Sequence, residues 1–135
     1  MIHIKSSQSV VLVIDDEAAS LEEISGILAG AGHSCQCAQD AAAAQECLER
    51  FTPDLIISDV NLAGHSGLTL CEQLKHQFGL VDVPLMFLSA AQSPDIIRRS
   101  HADGGTYYLR KPFDPRVLLE LVGKARLVRQ LTAAH

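Results

Sequence analysis

Three apolar runs without alternation frame the chain: Val10-Val11-Leu12-Val13-Ile14, Leu55-Ile56-Ile57 and Val83-Pro84-Leu85-Met86-Phe87-Leu88. Runs this short, and this rich in aliphatic and β-branched side chains, predict strands buried on both faces, as in a parallel sheet. Pro84 falls near the start of its run, where a missing N–H donor is tolerated. Each run breaks off at polar residues: Asp15 after the first, Ser58 and Asp59 after the second, Ser89 after the third. Those breaks mark where the strands surface at their C-terminal ends.

Helical spacing fills the intervals. Leu21, Ile24, Leu28 and Ala31 form one stripe, and Gly32 supplies its stop. A short second strand is predicted over 34–38, then Asp40 as the N-cap of an alanine-rich helix over 41–51, ended by Pro53-Asp54. After Asp59 the segment Leu62-Ala63-Gly64-His65-Ser66-Gly67 predicts a glycine-punctuated loop, and Leu70, Cys71 and Leu74 a third helix running to Gly79. Ser93-Pro94-Asp95 resembles a helix start, but the apolar face up to Ala102 is thin, which predicts the loosest helix of the set. Asp103-Gly104-Gly105 predicts a turn, 106–109 a fifth strand closed by Lys111-Pro112, and Asp114-Pro115 the cap of a last helix. Val117, Leu118, Leu121, Val122, Ala125 and Val128 form its predicted core stripe, with Leu119 left exposed among Arg116, Arg126 and Gln130. Five strands alternating with five helices predict an α/β fold, a doubly wound five-stranded parallel sheet.

Composition narrows the classes. With 135 residues, 47% of them apolar, the expectation is one domain with one real core. A net charge of −5 argues against a surface built for nucleic-acid phosphates and favours protein partners or divalent cations. The apolar runs are too short to span a membrane and the first nine residues are too polar for a signal peptide, so the expected location is the cytoplasm. Cys35, Cys37, Cys47 and Cys71 form no CxxC spacing and are read as reduced core thiols. His33, Cys35 and Cys37 would share one face of a strand, but small buried fillers are favoured there over a metal site.

In doubly wound sheets the ligand site lies beyond the C-terminal strand ends. The chain places Asp15 and Asp16, Asp59, Ser89 and Lys111 at such ends. Three crowded carboxylates call for protonation or a divalent cation with oxygen ligands, and Mg²⁺ is the natural one. A lysine and a hydroxyl facing that ion would complete a clamp for phosphoryl oxygens, so the set suits phosphoryl transfer to a carboxylate, with Asp59 as the reactive residue. The acidic loop after the first strand lacks the glycine patterns that cradle nucleotide phosphates, which argues against NAD, FMN or ATP.

Four motifs, Val13-Ile14-Asp15-Asp16-Glu17, Ile57 to Gly67, Leu88-Ser89-Ala90 and Tyr108-Leu109-Arg110-Lys111-Pro112-Phe113, occur in order and spacing that resemble the receiver domain of two-component response regulators. The resemblance covers about 9–129 of a single receiver domain taken as 1–135. It implies a flavodoxin-like strand order 2-1-3-4-5. It implies that Asp59 accepts phosphate from a phosphohistidine on a sensor kinase or histidine phosphotransfer protein. Asp16 and Asp59 would ligate Mg²⁺ directly, Asp15 largely through water, and Asn61 through its backbone carbonyl. Ser89 and Lys111 would contact the phosphoryl group. Ser89 and Tyr108 would be the switch residues, remodelling the face of the fourth helix, fifth strand and last helix as a population shift between two states. A cis Lys111-Pro112 peptide is also implied.

Two positions depart from the family pattern. Leu62-Ala63 stands where many members carry methionine or leucine and then proline, which predicts a more flexible loop. Ala91 offers no polar group to orient an attacking water, leaving the phosphoryl lifetime open. The resulting expectation is a phosphoacceptor signalling domain that catalyses only its own phosphorylation and dephosphorylation, not an enzyme. Its partners would be a kinase or phosphotransfer protein and a downstream protein effector, with no direct contact to nucleic acid or membrane. It would be a monomer or a weak phosphorylation-dependent dimer. A pseudo-receiver that binds partners without phosphorylation is the alternative within the fold. A small Mg²⁺-dependent aspartyl phosphohydrolase is the alternative outside it, but neither a D-x-D nucleophile motif nor a substrate cap is visible.

Overall fold

A computed structural model describes residues 9–90 and 106–133. Strands β1 (Val10–Ile14), β2 (Ser34–Ala38), β3 (Leu55–Asp59), β6 (Leu85–Ser89) and β7 (Thr106–Arg110) form one sheet in the order β2-β1-β3-β6-β7, all parallel. With the five main strands counted in chain order this is the predicted 2-1-3-4-5. Helices α1 (Ala18–Gly30), α2 (Ala41–Arg50), α3 (Gly67–Phe78) and a C-terminal helix (Pro115–Ala133) connect and cover it. The predicted fourth helix over 93–102 and the turn at 103–105 lie outside the described residues.

The apolar runs split between two cores because side chains alternate across each strand. Val11, Val13, Leu55, Ile57, Met86 and Leu88 face Leu21, Ile24 and Leu28 of α1 and Leu118, Val122 and Ala125 of the C-terminal helix. Leu12, Ile14, Ile56, Leu85 and Phe87 face Ala44, Cys47 and Leu48 of α2 and Cys71 and Leu74 of α3. Burial on both faces is why these runs show no polar alternation. Asp54, which precedes β3, locks it to β1: its backbone N–H donates to the Val10 carbonyl at 2.8 Å while its carboxylate accepts from the Val10 N–H at 2.9 Å.

Predicted helix boundaries survive with local corrections. Asp40 caps α2, accepting from the Ala43 N–H at 2.8 Å, and Asp114 accepts from the Arg116 N–H at 2.8 Å at the start of the C-terminal helix. Ala31 lies just past α1 and is exposed, so the stripe ends at Leu28. On the C-terminal helix the line Leu118, Val122, Ala125 points at the sheet, and residues about 100° of helix turn to either side are its flanks. One flank carries Leu119, half-buried against the same core and not exposed as predicted; on the other, Val117 and Val128 face outward instead of joining the core. The predicted 62–67 loop is a tight antiparallel hairpin, β4 (Asn61–Leu62) and β5 (His65–Ser66), with α3 starting at Gly67.

The cysteines also divide. Cys47 and Cys71 are buried core thiols as predicted. Cys35 is only half-buried and Cys37 is exposed, because β2 is the sheet's edge strand and its outer half meets solvent. Among the described residues no helix is long and apolar enough to cross a membrane.

Candidate functional site

The site forms where β1, β3 and β7 end. Asp15 follows β1 and is 1% exposed, with its backbone N–H donating to the Ala38 carbonyl at 3.0 Å and its Oδ1 accepting from the Glu17 N–H at 3.0 Å. Asp59 ends β3, and its Oδ1 accepts from the Asn61 N–H at 2.9 Å. Lys111 follows β7 and reaches back across the rim, its Nζ donating to Asp59 Oδ2 at 2.8 Å and to Asp15 Oδ2 at 3.2 Å. One ammonium thus bridges two carboxylates that lie 44 residues apart in sequence and would otherwise repel one another.

Burial pulls the Lys111 pKa down, but the hydrogen bonds its ammonium donates to Asp59 and Asp15, with the charges of both, outweigh that and hold the ammonium above its ordinary range. The Lys111-Pro112 peptide is cis. Ser89 is placed beside Lys111 by the β6–β7 register, and its carbonyl accepts from the Lys111 N–H at 2.8 Å. Asp59 pairs with Leu88 in the β3–β6 register, so Ser89 stands one residue beyond it on the same rim.

Two predicted residues stand apart from this cluster. Asp16 is exposed and lines a groove of about 460 Å³ with Asp40, Leu62, His65 and Thr69. Tyr108 sits on β7, half-buried against the core, with its ring 5.6 Å from that of Phe87. The donors at this end of the sheet are the hard oxygens of Asp15, Asp16, Asp59 and the Asn61 carbonyl, which suit Mg²⁺ chemically. Among the described residues no three His, Cys, Asp or Glu side chains already converge on one point. A cation here would therefore keep several waters, as Mg²⁺ commonly does.

Sequence reasoning missed what holds Asp59 in place. Gly67 packs so closely on β3 that a Cβ there would overlap the Asp59 carbonyl oxygen. Its N–H donates to the Val60 carbonyl at 2.7 Å. The hairpin between them turns through Ala63 and Gly64 with φ of +51° and +88°, and Asn61 Oδ1 accepts from the Gly64 N–H at 3.1 Å. Positive φ at both central residues is the type I′ requirement, and proline, whose ring fixes φ near about −65°, cannot stand at Ala63 in this conformation. The departure noticed at Ala63 is thus tied to a defined turn. The Asn-x-x-Gly spacing from Asn61 to Gly64 was the available signal.

A family model described as the response regulator receiver domain matches residues 11–123. The chain belongs to this family. The receiver is 35% identical to the phosphate regulon transcriptional regulatory protein PhoB of Pseudomonas aeruginosa over 122 residues, 90% of this chain and 52% of PhoB. It is 31% identical to the DNA-binding transcriptional regulator NtrC of Escherichia coli K12 over 118 residues, 87% of this chain and 25% of NtrC. The receiver thus spans about half the length of one curated relative and a quarter of the other. Among solved structures it resembles chemotaxis protein CheY4 of Vibrio cholerae, with a TM-score of 0.80 and 28% identity, covering 88% of this chain and 99% of that one. NtrX of Brucella abortus gives a TM-score of 0.84 at 26% identity, covering 94% and 29%.

Proposed function

We propose that this receiver accepts a phosphoryl group on Asp59 from a phosphohistidine of a sensor kinase or phosphotransfer protein. The observation that carries the reading is the Lys111 ammonium held between Asp59 and Asp15 at the C-terminal rim of the sheet, at 2.8 and 3.2 Å. Attack by an Asp59 carboxylate oxygen forms an O–P bond while the donor's N–P bond breaks, and the electron pair remains on the imidazole nitrogen. Lys111 is positioned to move its hydrogen bond from the carboxylate to a phosphoryl oxygen, where charge neutralisation lowers the barrier. The Ser89 hydroxyl serves as a further donor to the phosphoryl group. Asp15, Asp16, Asp59 and the Asn61 carbonyl would hold Mg²⁺, which supplies positive charge against the phosphoryl oxygens.

Phosphorylation is read out, in this proposal, by Ser89 and Tyr108 and the sheet edge that β7 and the C-terminal helix provide. The partner there is a protein effector, since the net charge of −5 disfavours direct contact with nucleic acid. The free thiols fit a cytoplasmic location.

Intact-mass spectrometry after incubation with Mg²⁺ and acetyl phosphate tests the reading. One hydroxylamine-labile phosphoryl adduct is expected, absent in Asp59→Asn. If no adduct forms and a panel of histidine kinases also fails to label the chain, the pseudo-receiver reading replaces this one. Turnover of simple phosphate esters would replace it with a phosphohydrolase.

A further inference from the structure

His33, Cys35 and Cys37 stand at alternate positions leading into and along β2, and side chains at that spacing share one side of a strand. The Cys35 and Cys37 sulfurs lie 3.9 Å apart. That separation is a contact between two thiols, either of which can donate to the other, and not a bond. A shared tetrahedral cation suits it. Zn–S bonds of about 2.3 Å set a sulfur–sulfur edge of roughly 3.8 Å.

Two further features point to a ligand. The His33 Nδ1 is buried with no hydrogen-bond partner among the described residues. Cys37 is exposed on the open edge of the sheet, which gives an ion a way in. We propose that Cys35 and Cys37, with His33 as third donor, form a site for a thiophilic cation of the Zn²⁺ class.

Among the described residues no three candidate ligands already converge. The cysteine pair is therefore the anchor, and His33 completes the site by side-chain rotation, with water in the fourth position. On binding, two S–H bonds break, two Zn–S bonds form, and both protons pass to solvent. Without the ion, burial and the adjacent Cys37 push the Cys35 thiol up to about 12, so the pair rests as thiols and not as a reactive thiolate. The site lies at the opposite side of β1 from β3 and does not depend on the phosphoacceptor reading.

The test titrates the reduced, metal-free chain with Zn²⁺ against a chromophoric chelator, with native mass spectrometry for stoichiometry. One ion per chain is expected, with two protons released per ion in weak buffer. Even outer-shell partners are worth about 10–100-fold in affinity, so Cys35→Ser or Cys37→Ser should each weaken binding by roughly 100-fold or more, and His33→Ala by roughly tenfold. Both serine variants sit at half-buried or exposed positions, and circular dichroism confirms that they fold. Absence of stoichiometric zinc, or zinc retained by the Cys35→Ser/Cys37→Ser double variant, overturns the proposal.

Discussion

β3 and β2 are five-residue strands of one parallel sheet, the first at its centre and the second at its edge. In β3, Leu55, Ile56, Ile57 and Ser58 are all buried, and only Asp59 reaches the rim. In β2, Ser34, Gln36 and Cys37 are exposed, and Ala38 alone is buried. Packing on both faces leaves little freedom of residue type in the centre. An acidic residue that breaks such a run therefore reports on function. At the edge the same backbone geometry tolerates almost any side chain, so polarity there carries little information about fold and leaves room for chemistry unrelated to the core.

The sharpest way to break this comparison is to truncate one residue in each strand. Ile57 is fully buried, and Ile57→Ala should cost about 4 kcal/mol through lost transfer energy and the cavity left behind. Cys37→Ala, at an exposed position, should change stability by less than about 0.5 kcal/mol. Urea melts of both variants in reductant measure the gap. Similar losses would mean that β2 is as tightly packed as β3 and that its exposed side chains are held by something other than solvent.

A smaller effect is expected at the rim where β3 ends. Lys111 is 22% exposed and Asp59 14%, while Asp15 is 1% exposed. Removing the ammonium by Lys111→Met leaves two adjacent carboxylates, one of them buried. Breaking a buried pair costs about 3–5 kcal/mol, but residual hydration at Lys111 and Asp59 lowers the expectation to about 2 kcal/mol near neutral pH. The lysine's folded pKa is raised above its ordinary 10.5. Its contribution is therefore fully present below about 10.5 and fades as pH rises through the higher folded value. Stability of the wild type and Lys111→Met should converge in strongly alkaline buffer and separate again at neutral pH. A gap that stays constant would show that Lys111 acts through its aliphatic stem.

The same division between centre and edge explains what could be read from the residues. Val10 to Ile14, Leu55 to Ile57 and Leu85 to Leu88 gave the sheet, because each is buried on two faces and has no polar alternation to confuse it. Asp15, Asp59, Ser89 and Lys111 could be grouped because parallel strands bring their C-terminal ends to one rim whatever their separation in sequence. Cys37 is exposed and not core, and Cys35 only packs against the core's border, since a strand pattern does not say which strand is outermost. Val117 and Leu119 were misassigned for a related reason: on the helix flanks, neighbours from other elements decide burial, and periodicity gives only the central line. Gly67 and the Ala63–Gly64 turn escaped notice because they depend on backbone contacts, which leave no hydrophobic signature.

That turn offers the finest test of how the rim is held. Ala63 takes φ of +51°, a left-handed conformation that costs a residue with a Cβ roughly 1–2 kcal/mol. Glycine removes that cost but enlarges the freedom of the unfolded chain by about 0.4–1 kcal/mol. Ala63→Gly should therefore stabilise the fold by between about 0 and 1.6 kcal/mol, seen as a small upward shift in Tm. The hairpin leads directly from Asp59 to Gly67, whose N–H is bonded to Val60. If the strain serves only to close the turn, relieving it leaves unchanged the rate of the proposed phosphoryl uptake from acetyl phosphate. If that rate falls while stability rises, the left-handed alanine is part of what holds Asn61 and Asp59 in register, and the precision of the central rim reaches beyond the sheet into the loop that follows it.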